Sequence, residues 1–181
     1  MKIYDLKTMQ ECEIDSDTAI ALGTFDGCHL GHMSVVRSAY LKAKSLKMKS
    51  LVYTFDEIPK SKSNSQIKAI LTTDEKIKFI RKSGIDYIAI DSFDAIKNIE
   101  GDIFVKEILK SKLKAKCVSC GYNYRFGKNA KYTGEDLKRF FQNSGECVDI
   151  CRKISVNNED ISSTLIRKKI SDFCQKRYIY K

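Results

Sequence analysis

Apolar runs of strand length alternate along the chain with segments of helical period. The runs predict strands over residues 18–22, 50–55, 86–90, 115–120 and 146–154, of which the first, TAIAL, contains no polar residue except its leading threonine. The periodic segments predict helices over residues 31–46, 102–112, 134–143 and 163–174. A further helix is predicted to open at the capping-box pair Thr72 and Glu75 and to stop near Gly84.

Strands that alternate with helices predict βαβ units and therefore a mostly parallel sheet covered on both faces. The predicted fold class is α/β, doubly wound, and 181 residues suit one domain over positions 1–181. Ligands of such sheets bind beyond the carboxyl ends of the strands. Two polar segments lie at such places, residues 56–66 and 122–133, and they are expected to be the least ordered parts because they carry few apolar anchors.

Charge and cysteine content narrow the function only a little. The net charge of +10 favours anionic partners, but the lysines are spread along the chain, so a solvated lysine-rich surface explains it equally well. No window is apolar enough for a membrane span or a signal peptide, so we expect a cytoplasmic protein with no membrane contact. The seven cysteines are then expected to be reduced thiols. A zinc site is not expected, because Cys117 and Cys120 would point to opposite faces of one strand.

Both histidines of the chain fall in the stretch GTFDGCHLGH, at His29 and His32. This stretch joins the first predicted strand to the first predicted helix, where free N–H groups and the helix dipole attract an anion. Gly23 and Gly27 allow a tight backbone path, and the two imidazoles, three residues apart, share one helix face. The arrangement predicts a phosphate site, and HxGH here resembles the signature of a nucleotidyltransferase superfamily.

The second half of that signature is ISSTLIR, which opens the last predicted helix. Ser162, Ser163 and Thr164 offer hydroxyl and N–H groups, and Arg167 adds a permanent forked cation suited to the β- and γ-phosphates. A third stretch, GYNYRFG, follows a predicted strand. Flat apolar surface is available in this stretch from the side chains of Tyr122, Tyr124 and Phe126. Asn123 offers an amide to a polar ligand edge.

Together with LTTDEK at residues 71–76, these segments resemble the FMN adenylyltransferase (FAD synthetase) module of prokaryotic bifunctional riboflavin kinase/FAD synthetases. The resemblance implies a Rossmann-like nucleotidyltransferase topology and transfer of AMP from ATP to FMN with Mg²⁺, giving FAD and pyrophosphate. It implies catalytic His29, His32 and Arg167. The implied ATP-binding residues are Gly23, Thr24, Phe25, Asp26, Gly31, Ser162, Ser163 and Thr164, and the implied FMN-binding residues are Tyr122, Asn123, Tyr124 and Phe126. Asp26 is a candidate for a direct or water-mediated role, or else a residue that stabilises the turn.

Two departures from the family pattern bear on this interpretation. TFDEIP stands where the family usually has TFEPHP, so Glu57 and Ile58 replace Pro and His near the acceptor side. The family chain usually continues into a riboflavin kinase module, so this chain is expected to be either a standalone enzyme supplied with FMN or an excised domain.

Two alternatives stay open. One is a cytidylyltransferase for a small phosphate ester, which GYNYRFG disfavours. The other is a noncatalytic nucleotide- or RNA-binding protein, which a concentrated basic patch would favour. The preferred interpretation has ATP and FMN as substrates, no nucleic acid, no protein metal site and no obligatory protein partner.

Overall fold

The computed structural model describes residues 1–8, 14–57, 69–156 and 159–179, with side chains as far as residue 171. Its strands are β1 (Lys2–Asp5), β2 (Thr18–Leu22), β3 (Lys49–Phe55), β4 (Tyr87–Asp91), β5 (Ala115–Gly121), β6 (Arg125–Phe126), β7 (Tyr132–Thr133), β8 (Cys147–Cys151), β9 (Ser155–Val156) and β10 (Glu159–Asp160). Its helices are α1 (Leu30–Ser45), α2 (Thr73–Arg81), α3 (Phe93–Ile96), α4 (Gly101–Ile103), α5 (Gly134–Phe140) and α6 (Ser163–Ile179). A π-helical segment, Phe104–Lys112, continues α4.

Six strands form one sheet in the order β1-β4-β3-β2-β5-β8, and every pairing within it is parallel. Buried side chains cover both of its faces. On one face Val36 and Ala39 of α1 pack with Ile80 of α2, and on the other Phe104 and Leu109 pack with further aromatic and aliphatic residues. This explains why β2 and β4 consist of uninterrupted buried residues, and it confirms the doubly wound α/β prediction.

The chain changes direction across the sheet beside β2. It builds β3 and β4 on one side of β2, then returns to place β5 and β8 on the other side. The carboxyl ends of β2 and β5 are therefore neighbours, with Leu22 paired to Cys120. Such a reversal of strand order opens a crevice at the carboxyl ends, where ligands of this fold class bind.

Most predicted elements are present with ends shifted by a few residues, and the capping box of Thr72 and Glu75 opens α2 as expected. Strand β1 was not predicted; its four residues pair with β4 at the edge of the sheet. The predicted helix over residues 102–112 is mostly π-helical. Within the described residues, no helix is long and apolar enough to cross a membrane.

The expectation that all cysteines are reduced is wrong for two of them. Cys117 and Cys147 form a disulfide between β5 and β8. The parallel register pairs these residues directly, with their Cα atoms 4.6 Å apart, a separation that a disulfide can bridge. Cys117 and Cys120 do point to opposite faces, since they belong to different core clusters. The described residues contain no group of ligands able to hold a metal ion.

Candidate functional site

The loop between β2 and α1 has an unusual backbone. Phe25, Gly27 and Cys28 all adopt left-handed conformations, with φ of 50°, 80° and 39°. Only glycine takes this conformation without strain, so the two non-glycine residues need strong tertiary support. The buried side chains of Phe25 and Cys28 give that support from the core beneath α1. The sequence GTFDGC is therefore held as a rigid turn at the end of β2.

His29 and His32 stand where this turn becomes α1. His29 is the N-cap residue, and its Nδ1 accepts a hydrogen bond of 3.3 Å from the His32 backbone N–H. The two imidazole rings are stacked, with centroids 3.6 Å apart and planes inclined by 21°. A Cβ atom on Gly31 would lie 3.2 Å from the His29 ring, so a residue without a side chain suits the stack. The shared face predicted for the two histidines is confirmed.

Both imidazoles are set to be neutral near pH 7. Burial, together with the neighbouring His29 and Lys76, lowers the pKa of His32 to about 3. Burial also lowers the pKa of His29. The His32 Nδ1 atom is buried without a hydrogen-bond partner among the described residues. Because buried polar atoms almost always have a partner, this atom marks a place where a bound molecule can complete the hydrogen bonding.

The start of α6 is attached to the same loop. Ser163 Oγ donates a 2.7 Å hydrogen bond to the Asp26 carbonyl, and Ser162 Oγ accepts one of 3.2 Å from the Leu165 N–H in the manner of an N-cap. Arg167 forms an ion pair with the Asp26 carboxylate. The two halves of the signature, separated by more than a hundred residues, are thus joined directly.

Asp26 is the centre of this junction. Its side chain is buried, and its Oδ1 accepts a 2.9 Å hydrogen bond from the Ile70 N–H, just ahead of α2. Neither Asp26 nor Arg167 is among the described residues that line the neighbouring cavity. The contacts of Asp26 favour the second of its predicted roles, that of a residue that stabilises the turn.

A cavity of about 700 Å³ opens at the carboxyl ends of β2 and β5. The two histidines, the β2–α1 turn and the start of α6 contribute one part of its lining, and the GYNYRFG segment contributes another. The predicted site residues among its lining are Gly23, Thr24, Phe25, His29, Gly31, His32, Tyr122, Asn123, Tyr124, Phe126, Ser162, Ser163 and Thr164. Three segments that are distant in sequence therefore meet in one cavity.

The GYNYRFG end is more firmly anchored than the sequence suggested. Phe126 is buried, its ring stacks on Tyr124 at 5.9 Å, and it also contacts Phe104. Arg125 and Phe126 pair with Thr133 and Tyr132 in a short antiparallel hairpin. The expectation of few apolar anchors in this segment is wrong, because aromatic residues far apart in the chain pack around it. Asn123 is exposed.

Sequence reasoning missed several residues of the lining. Apolar contributions come from Phe55, Phe93, Ile96 and Phe104, and cationic ones from Lys97, Arg125, Arg152 and Lys153. Phe55 ends β3, Phe93 follows β4, and Arg152 follows β8. Their position after strand ends was a usable signal, because the carboxyl ends of parallel strands share one edge of the sheet. Among the described lining residues there is no Asp or Glu.

Two other positions bear on the predictions. Lys76 of α2 is buried, with 3% of its surface exposed, and it donates to the Phe55 carbonyl at 2.8 Å. Its spacing of four residues from the buried Ile80 indicated an inward position. TFDEIP departs from the family pattern at Glu57 and Ile58. Glu57 is exposed, and Ile58 lies outside the described residues.

The chain is similar to known proteins over most of its length. The family model for FAD synthetase matches residues 11–165. The bifunctional riboflavin kinase/FMN adenylyltransferase of Buchnera aphidicola subsp. Schizaphis graminum is 31% identical over 92% of this chain and 53% of its own length. That of Listeria monocytogenes serovar 1/2a is 30% identical over 87% of this chain and 51% of its own. The chain thus spans about half the length of these relatives.

A solved structure has a similar fold. A crystal structure described as a macrolide-efflux protein from Streptococcus pneumoniae superimposes with a TM-score of 0.76 at 27% identity, over 92% of this chain and 55% of that one. Since the family model matches well over half of its residues, this chain belongs to the FAD synthetase family.

Proposed function

We propose that the protein is an FMN adenylyltransferase, which transfers AMP from ATP to FMN and forms FAD and pyrophosphate. The observation that carries the proposal is the lining of the cavity, which is of two kinds. One part offers paired imidazoles and helix starts, and another part offers aromatic faces. A polyphosphate suits the first part, and a flat tricyclic ring suits the second.

At the phosphate end, the proposed donors are uncharged. His29 and His32 would donate ring N–H groups to oxygens of the α- and β-phosphates, and the orphaned polar atom of His32 supports a ligand there. The N–H and hydroxyl groups of Ser162, Ser163 and Thr164 at the start of α6 would receive the β/γ end. Arg167 would reach those phosphates by exchanging its Asp26 partner for them.

At the other end, Tyr124 and Phe126 would supply apolar surface to the flavin ring, with Tyr122 and Asn123 at its edge. The cationic side chains of Arg125, Arg152 and Lys153 line the same cavity, and they would accommodate the phosphate of FMN. A cytidylyltransferase for a small phosphate ester would have no use for so extended an aromatic wall.

The reaction proposed is an in-line displacement at phosphorus. An FMN phosphate oxygen forms a bond to the α-phosphorus of ATP, and the bond from that phosphorus to the bridging oxygen of the β-phosphate breaks. The electron pair leaves with pyrophosphate. No protein nucleophile is required, so catalysis rests on positioning and on donors that meet developing charge.

Mg²⁺ is proposed to enter as MgATP. The described lining offers hydroxyl and amide oxygens, such as those of Thr24 and Asn123, but no carboxylate. This fits an ion held chiefly by substrate phosphates and water, which is how Mg²⁺ usually binds in nucleotide sites, and it does not fit a resident metal site.

The test is chromatography of the purified protein with Mg²⁺ and ATP, supplied with either FMN or riboflavin. We expect FAD and pyrophosphate from FMN, and no flavin product from riboflavin. CTP in place of ATP is the matched control and should give no product. Turnover of another phosphate ester with CTP, in the absence of FAD formation from FMN, would contradict the proposal in favour of the cytidylyltransferase alternative.

A further inference from the structure

Lys76 is a buried cation that the reaction scheme above does not use. It lies in the first turns of α2, and only 3% of its surface is exposed. Its ammonium donates to the Phe55 carbonyl at 2.8 Å and to Thr54 Oγ1 at 3.4 Å. Among the described residues no carboxylate lies within ion-pair distance of it, although buried ammonium groups are costly without a charged partner.

The contacts of Lys76 lead directly to the phosphate end of the cavity. Thr54 Oγ1, which accepts from Lys76, donates its own proton to the Thr24 carbonyl at 3.0 Å. Thr24 lines the cavity and belongs to the strained turn that carries the two histidines. Two consecutive hydrogen bonds therefore link Lys76 of α2, through Thr54 of β3, to Thr24 of the β2–α1 turn.

Neighbouring contacts attach α2 and the residue stretch before it to the β2–α1 turn and to the chain just after β3. The Ile70 N–H donates to Asp26 at 2.9 Å, and Thr73 Oγ1 donates to the Asp56 carbonyl at 2.9 Å. The capping box of Thr72 and Glu75 fixes the direction of the helix and thereby the place of Lys76. The start of α2 thus packs behind the β2–α1 turn. Among the described residues of α2, only Lys76 has a buried charge.

We propose that Lys76 is a positioning residue for nucleotidyl transfer, which holds the Thr24 carbonyl through Thr54 and so sets the turn that presents His29 and His32 to the ATP phosphates. The inference rests on the proposed function. The buried ammonium, which has no ion-pair partner among the described residues, also places positive charge behind the site. This charge attracts a polyphosphate electrostatically.

The test compares three variants of the full chain. Lys76→Met removes the ammonium and keeps the length of the side chain, and Thr54→Val breaks the link to Thr24 and keeps the ammonium. Lys78→Met, at an exposed position two residues further along α2, is the control. Each variant is assayed for FAD formation well below its melting temperature, and MgATP binding is measured by calorimetry without FMN.

We expect Lys76→Met to lower kcat about tenfold or more and Thr54→Val to lower it several-fold, with the KM for FMN within about twofold of wild type. Neither Lys76 nor Thr54 is hydrogen-bonded to the GYNYRFG segment, so a kcat loss without an FMN effect separates positioning of the turn from general damage. MgATP affinity should fall about threefold or more in Lys76→Met, and Lys78→Met should match wild type. Because Lys76 and Thr54 act in one chain, the double variant should fall little below Lys76→Met.

Wild-type kcat and MgATP affinity in Lys76→Met would overturn the proposal. A wild-type kcat in Thr54→Val would also overturn it. So would a double variant whose fold-loss in kcat equals the product of the two single fold-losses. A wild-type protein that binds MgATP but makes no FAD would instead contradict the proposed acceptor, and the calorimetric comparison of the same variants would still decide the role of Lys76.

Discussion

The guanidinium of Arg167 is paired with the carboxylate of Asp26, 141 positions earlier in the chain. One residue belongs to the last helix and the other to the turn after β2, so the pair fastens together the two sequence motifs of the site. Asp26 is buried and also accepts a hydrogen bond from the Ile70 N–H. In this structure the pair therefore connects α6 directly to the β2–α1 turn.

Replacing Asp26 tests this junction. Asp26→Asn keeps an acceptor for the Ile70 N–H but removes the charge that meets Arg167, and we expect the free energy of unfolding to fall by about 1–3 kcal/mol. Urea denaturation measures the change. The control is Glu135→Gln, which breaks an exposed ion pair with Lys138 and should cost about 0.5 kcal/mol or less. Equal effects of the two variants would contradict a structural role for Asp26.

The histidine pair should be needed for turnover but not for folding. We expect His29→Asn and His32→Asn each to lower kcat by about 10²–10³, because each removes one preorganised donor to the phosphates. Circular dichroism should show an intact fold. Arg37→Ala, an exposed position on the same helix, serves as control and should retain the wild-type rate. Near-normal rates in both histidine variants would make the proposed mechanism wrong.

Burial of His32 should make stability depend on pH. The unfolded chain takes up a proton on this residue below its ordinary pKa of 6.5, whereas the folded chain does so only near 3. Stability therefore rises with pH across this window, and acidification from pH 7.5 to 5 should cost about 1–2 kcal/mol through His32. His29 acts in the same direction. Urea denaturation at the two pH values should give a smaller difference for His32→Asn than for wild type; equal differences would refute the prediction.

The disulfide can be tested by titrating the free thiols. With Cys117 and Cys147 joined, at most five of the seven cysteines should react with a thiol reagent in denaturant, and all seven should react after reduction. The bridge encloses a sequence separation of 30 residues, so its reduction should lower the free energy of unfolding by up to about 3–4 kcal/mol. Seven reactive thiols in unreduced protein would show that no disulfide forms and that all cysteines are reduced, as the sequence predicted.

Asn123 should affect FMN rather than ATP. It is exposed and lines the cavity, and we propose that its amide meets a polar edge of the acceptor. We expect Asn123→Ala to raise the KM for FMN about tenfold through loss of one or two hydrogen bonds, with the KM for ATP unchanged. Gln142→Ala, an exposed amide outside the cavity lining, is the control. A parallel rise in both KM values would argue against a flavin-specific role.

Several features were readable from the sequence because they depend on local physics. The uncharged run of β2, the capping box at Thr72 and the glycine-rich turn before α1 each follow from residues a few positions apart. Local spacing also placed His29 and His32 on one face, and it predicted that GYNYRFG and ISSTLIR would follow strands or open helices. The strand–helix alternation then gave the fold class.

Other features depend on the order and register of the strands, which local pattern does not specify. The pairing of Arg167 with Asp26, the bridge between Cys117 and Cys147, and the edge position of β1 each join residues from distant parts of the chain. The spacing to Ile80 indicated that Lys76 faces inward, but its contacts with the Phe55 carbonyl and with Thr54 again join distant parts of the chain. The sequence by itself determined the elements and the motifs of this protein, while only the tertiary structure decided which charges became buried and paired, because burial and pairing are set by non-local contacts.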